Sequence, residues 1–190
     1  MTRCALGELG EEGPSKGHNR RLGRAFPGQF TMKIVNSAAV SAEHRKSPKG
    51  SFEIIRRHVS VALGTARNVG AWGNGHPFEV EIAQIPPGKK GYPYHSHAAQ
   101  TEYYAVLSGS GVVTDGTGGR SQIKAGDHFI FLPGEAHQIA NDSAEMLEYL
   151  VIADNHRADV TTYPATGKRM LMPEARCVNP APTEYYDGEE

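Results

Sequence analysis

His95 and His97, separated by one residue, and Glu102, five positions further on, are the side chains in this sequence best suited to hold a metal ion. On an extended strand, side chains two apart point the same way, so both imidazoles can reach one point. Glu102 opens the next apolar run and adds an anionic oxygen. Two imidazoles and a carboxylate suit Zn, Mn, Fe, Co and Ni, and neutral histidine is an effective ligand near physiological pH. Nine histidines in 190 residues give a His-x-His about 0.4 times by chance, and requiring the Glu lowers this to roughly 0.03. Gly109, seven residues after the Glu, lowers it by about another eightfold.

A second segment points the same way. Gly126-Asp127 is followed by the apolar run His128 to Leu132, then by Pro133-Gly134, His137 and Asn141. Gly126 suits a tight turn, Pro133 cannot continue a central strand, and Gly134 tolerates positive φ. His137 then opens a further strand from which it can reach the same ion.

The elements that must position these residues are short strands. From about residue 52 to 153, apolar stretches alternate with Gly, Pro, Asn and Asp at intervals of roughly 8–12 residues, the spacing of an antiparallel sandwich or barrel. Phe78, Val80 and Ile82 alternate with Glu79 and Glu81, and Glu102 to Leu107, Val112 to Thr114 and Glu145 to Ala153 read as further strands. No convincing amphipathic helix falls between residues 76 and 153. The expected class is all-β.

Quoted in full, the two segments are G-Y-P-Y-H-S-H-A-A-Q-T-E-Y-Y-A-V-L-S-G, residues 91–109, and G-D-H-F-I-F-L-P-G-E-A-H-Q-I-A-N, residues 126–141. They resemble the two motifs of the cupin superfamily. The leading Gly, at 91 or 88, is off the usual offset, and Pro133 directly precedes Gly134; both departures touch turns and leave the ligands in place. The resemblance implies a jelly-roll β-barrel, often dimeric, with a divalent ion (Mn, Fe, Zn or Ni) held inside by His95, His97, Glu102 and His137.

Around that barrel, residues 1–31 are rich in Gly, Arg and Glu without an apolar period and read as a disordered tail. Residues 32–75 are expected to form an N-terminal arm and strands packing on the barrel of residues 76–155. Residues 156–190, with Pro164, Pro173, Pro180 and Pro182, read as a C-terminal strap and tail. Apolar strands around residues 52–63 could pair across a homodimer.

Twenty basic against 21 acidic residues argue against an electrostatic nucleic-acid binder. No apolar run approaches the ~18 residues of a membrane span. The first residues lack the apolar stretch of a secretory signal, and Cys4 and Cys177 are too few for a disulfide framework, so a cytoplasmic setting is expected.

Other residues weigh less. Tyr104, two after Glu102, should face the cavity, first as an aromatic filling the barrel and second as a hydrogen-bond donor to a ligand. His128 has surface parity, and His58, His76 and His156 lack partner spacing. Lys89 and Lys90 could meet a phosphate but read better as a solvated turn, and Trp72 reads as a packing residue or dimer contact. Gln100 could support the ligands from behind.

Three His and one Glu on a divalent ion leave a net charge near +1, which favours an anionic or hydroxyl-bearing small molecule. The leading expectation is a metal-dependent protein of unassigned specificity for a small oxygen-rich ligand such as a sugar, sugar phosphate or carboxylate. Asp159-Val-Thr-Thr-Tyr-Pro and Gly167-Lys168 resemble small isomerase-like cupins, making sugar-phosphate isomerase its specific form. No catalytic residue beyond the ligands can be named. The alternatives are an iron-dependent oxygenase and a non-catalytic binding cupin.

Overall fold

Segments too short and too punctuated for helices pair instead across long sequence separations. The computed structural model describes residues 32–189, and the tail expected over residues 1–31 lies outside them. In chain order the first strands are β1 (Glu43–Lys46), β2 (Glu53–His58), β3 (Phe78–Ile85), β4 (Ser96–His97) and β5 (Glu102–Ser108). They continue as β6 (Ser110–Thr114), β7 (Arg120–Lys124), β8 (His128–Phe131) and β9 (Gln138–Ala140). The last are β10 (Leu147–Asp154), β11 (Asp159–Thr162), β12 (Arg169–Met172) and β13 (Arg176–Val178).

One antiparallel sheet runs β1-β2-β3-β10-β5-β8. Two smaller sheets run β13-β12-β11-β4 and β7-β6-β9. An isolated antiparallel bridge between His95 and His137 stitches the smaller pair together just before β4 and β9. Two of the expected ligands therefore sit directly opposite each other on a seam.

The turns that allow these pairings are where the sequence put its glycines. Gly109 has φ +76°, and a Cβ there would lie 2.2 Å from the Met146 carbonyl oxygen. Only glycine fits so close to neighbouring backbone. Asp115 closes the β6–β7 turn by accepting from the Thr117 and Gly119 amides at 2.8 and 2.9 Å, a local bond that competes with continued strand.

Ile54, Ile85, Val106, Val113, Ile139 and Leu147 fill the interior. Two details differ from the sequence reading. Val59–Ala62, read as part of an apolar strand, is a single helical turn against β3. On β3 the alternation points the other way from the hydrophobic expectation: Glu79, Glu81 and Ala83 line the internal cavity, which leaves Val80 and Ile82 on the outer face. Charge on the inner face of a barrel strand marks a binding cavity rather than a packed core. Among the described residues, no helix is long and apolar enough to cross a membrane.

Candidate metal centre

Each of the four expected ligands is positioned by a different local device, and three of them, His95, His97 and Glu102, line the cavity. His97 ends β4 and is paired with Thr161 of β11. His95 and His137 exchange backbone bonds of 3.1 and 2.7 Å across the seam. Glu102 starts β5 and faces inward with Tyr104. Donor atoms of His95, His97 and Glu102 lie within 4.8 Å of one another. The fourth, His137, places Nε2 2.9 Å from Glu102 Oε2, and His97 Nε2 lies 3.8 Å from the same oxygen.

The tautomers follow from what each ring does with its other nitrogen. His95 Nδ1–H donates to the Pro93 carbonyl at 2.8 Å, His137 Nδ1–H to the Glu135 carbonyl at 3.1 Å, and His97 Nδ1–H to Asp159 Oδ2 at 2.6 Å. All three Nε2 lone pairs are thereby left free for coordination. Phe131 stacks flat on His137, centroids 3.9 Å apart, and fixes its ring plane.

This arrangement fits a divalent cation on its own geometry. Glu102 Oε2 and His137 Nε2 are buried and lack a hydrogen-bond partner among the described residues. Their 2.9 Å separation is that of an ion pair without the alignment of a hydrogen bond. A bare imidazole lone pair facing a carboxylate oxygen is repulsive unless a cation sits beside both. Two donors each about 2.1 Å from one ion at right angles would stand about 3 Å apart.

Electrostatics agree. Burial holds His95 down to about 4, with His137 and His97 adding to the effect against Glu102, so His95 is neutral and able to ligate. Burial pushes the Glu102 carboxyl up, and positive charge on His137, His97 and His95 outweighs it and holds it at about 2; with the rings neutral, a bound cation would supply that charge instead. Asp159, sixty-two positions from His97, is the supporting carboxylate that sequence reading missed; Gln100 instead donates to the Asp154 carbonyl at 2.8 Å. Tyr104 is 6 % exposed, stacked on Phe129 with centroids 5.0 Å apart, and also borders the cavity. His128 meets the Tyr103 hydroxyl on the surface, and His156, which also lines the cavity, meets Asp154.

The cavity has a volume of about 370 Å³, within the range of small-molecule sites. Its wall away from the candidate ligands is charged. Glu43 gathers Arg45 at 2.7 Å, Arg56 at 3.2 Å, Arg67 at 3.1 Å and His58 at 2.7 Å. His58 also meets Glu81 at 2.6 Å through its other nitrogen. Both ring nitrogens therefore face carboxylates, and the imidazolium satisfies both.

The Glu81 bond raises the His58 pKa, burial lowers it and the Glu43 bond raises it again, for a net upward shift. Its contribution to stability is complete below the unfolded value of about 6.5 and is lost as pH rises through the higher folded value. Thermal melts should therefore show a decline above about pH 6.5 that His58→Gln flattens. An identical slope in that variant would remove His58 as the cause.

Residues 81–153 match the model of the family described as "Cupin domain". Over 69 residues the chain is 38% identical to an oxalate-binding protein of Thermotoga maritima, covering 36% of this chain and 55% of that one. The chain thus spans about half the length of the curated relative it matches. A provisionally named sugar phosphate isomerase from Acidithiobacillus ferrooxidans superposes with TM-score 0.65 at 25% identity, covering 80% of this chain and 97% of that one. A predicted oxalate decarboxylase of Thermotoga maritima superposes with TM-score 0.51 at 26% identity, covering 65% and 100%. A sugar phosphate isomerase from Silicibacter pomeroyi shares the fold, with TM-score 0.64 at 18% identity over 80% and 98% of the chains. With its barrel, its seam of histidines and these likenesses in agreement, residues 81–153 form a domain of the cupin superfamily.

Proposed function

We propose that this protein holds one divalent metal ion on His95, His97, Glu102 and His137 and uses it to bind a small oxygen-rich molecule. In its specific form it is a sugar-phosphate isomerase-like enzyme. The observation that carries the reading is the meeting of His95, His97 and Glu102 in one cavity, with His137 Nε2 beside the Glu102 carboxylate. A bound ion would supply Lewis acidity to a carbonyl or hydroxyl oxygen.

The protein's own residues would do the rest. Tyr104 and Tyr149 are held far above the ordinary phenol range, chiefly by burial, so they stay protonated. Tyr104 is a hydrogen-bond donor at the edge of the site, never a base. Burial opposes the charges of Glu81 and Asp159, yet His58 with Arg56, and His97, overcome it and keep both ionised. Their charge is committed to those partners, which leaves proton transfer to groups bound at the metal centre. The likeness to a provisionally named sugar phosphate isomerase along 97% of its length supports this form.

A second reading is favoured by the 38% identity to an oxalate-binding protein across the motif region: a dicarboxylate held in the same place. The test is metal analysis of untagged protein, followed by turnover assays of the reloaded protein on aldose and ketose phosphates and on oxalate. Isomerisation dependent on metal is the expected result. Binding of oxalate with no turnover would sink the isomerase form in favour of the second reading. Failure of Mn, Fe, Zn and Ni alike to bind would sink both.

A further inference from the structure

Arg56 on β2 is nearly fully enclosed, 6 % exposed, and borders the same cavity as the metal ligands. A guanidinium carries five N–H donors. Among the described residues Arg56 makes one side-chain hydrogen bond, Nη2 to Glu43, and Nη1 stands a loose 3.5 Å from Glu81. Its Nε–H has no partner. Beneath it lies Tyr92, whose ring centroid is 5.6 Å from the guanidinium carbon and whose hydroxyl is also buried without a partner. This end of the cavity is short of acceptors. Buried donors are normally satisfied, and a charged one costs most when it is not.

Arg45 from β1 and Arg67 from the connection after α1 (Val59–Ala62) line the wall beside Arg56. Glu43 draws all three side chains together without itself lining the cavity. Glu79 and Glu81 do line it, but Glu79 accepts the Asn68 amide and Glu81 is tied to His58. Counting His58 as imidazolium, the wall keeps a positive excess. Planar guanidinium forks match the oxygens of carboxylate and phosphate groups.

We propose that Arg56, with Arg45, Arg67 and the Tyr92 hydroxyl, forms an anion subsite that takes the terminal oxyanion of the ligand, a phosphate or carboxylate, while the ligand's other oxygens lie at the metal centre. The subsite rests on the reading of the cavity as a small-molecule site and adds which end of the ligand goes where. It also answers what Lys89 does not: that side chain is spent on the Gly50 carbonyl at 2.9 Å.

The test is calorimetric titration of metal-loaded and chelator-stripped protein with ribose 5-phosphate, inorganic phosphate, malonate and ribose. Wild type should bind the phosphate or malonate probes at least about tenfold more tightly than ribose. Whichever of the two binds names the oxyanion. Arg56→Gln should abolish that preference with metal content unchanged. Arg67→Ala, at a half-exposed position where folding is not at risk, should reduce it in the same direction. Equal binding of ribose and the anions by wild type, or full preference retained in both variants, would overturn the subsite. Wild type that binds no metal yet shows arginine-dependent anion binding would sink the metal centre and leave the subsite standing.

Discussion

Glu102→Gln should lower affinity for a divalent metal by more than about 100-fold, the upper end of what losing a supporting partner alone costs. Glu102 supplies the only anionic donor among the four expected ligands, and three neutral imidazoles without it hold a dication less strongly. The substitution is chosen because it should leave the metal-free fold intact. Gln has the same shape, and its amide N–H can donate to the bare Nε2 of His137, 2.9 Å from the present carboxylate oxygen. The repulsive contact that a cation relieves would become a hydrogen bond. The companion change, Asp159→Asn, should cost about 10–100-fold, because it acts only through His97. Asp159 accepts from His97 Nδ1 at 2.6 Å and from the Ala99 amide at 2.7 Å with its two oxygens. Asn keeps one acceptor, so one of those donors is lost and the His97 tautomer is no longer fixed. Elemental analysis after dialysis and competition with a chromophoric chelator would measure both. A Glu102→Gln protein holding metal as tightly as wild type would show that the carboxylate is not a ligand.

The candidate ligands were legible in the sequence because local rules govern them. His-x-His on a strand needs only the period of two, and Gly109, Gly126 and Gly134 announce turns whose φ values are +76°, +92° and +88°. What sequence could not give was contact across distance. Asp159 reaches His97 only because β11 pairs with β4, and no local pattern states that pairing. The arginine wall was hidden for a different reason. Alternation on β3 tells that its two faces differ, but not which is inside, and hydrophobicity argues for the wrong one. Once β2 and β3 pair with Arg56 opposite Ala83 and His58 opposite Glu81, Arg56 and His58 fall on the cavity side with Glu79 and Glu81, while Arg57 lies with Ile82 and Gln84 on the other face. His58, which looked isolated at the sequence level, is then seen between two carboxylates supplied by β1 and β3.

Asn141→Ala should destabilise the fold by about 3 kcal/mol or more, from roughly 1–3 kcal/mol for each buried group left unpaired. The residue is 1 % exposed, and its amide serves three backbone groups. Nδ2 donates to the Ile85 carbonyl at 2.8 Å and to the Glu145 carbonyl at 2.6 Å, while Oδ1 accepts the Ser143 amide at 3.0 Å. These bonds tie the end of β3 to the turn that leads into β10, the strand at the centre of the large sheet. Alanine removes all three and leaves a void in the interior beside the Ile85 carbonyl. At this chain length the loss corresponds to a fall in Tm of roughly 6–12 °C. Ser143→Ala, which removes only the hydroxyl bond to Asn141 Oδ1 and the turn contacts at Glu145, should cost about 1 kcal/mol or less. Thermal or urea melts of the two variants separate the accounts: similar small losses would mean that water takes over the amide's bonds. A large loss confined to Asn141→Ala would show that this side chain stands in for missing strand hydrogen bonds. It would then hold the β3–β10 pair on which Glu81 and the cavity wall depend.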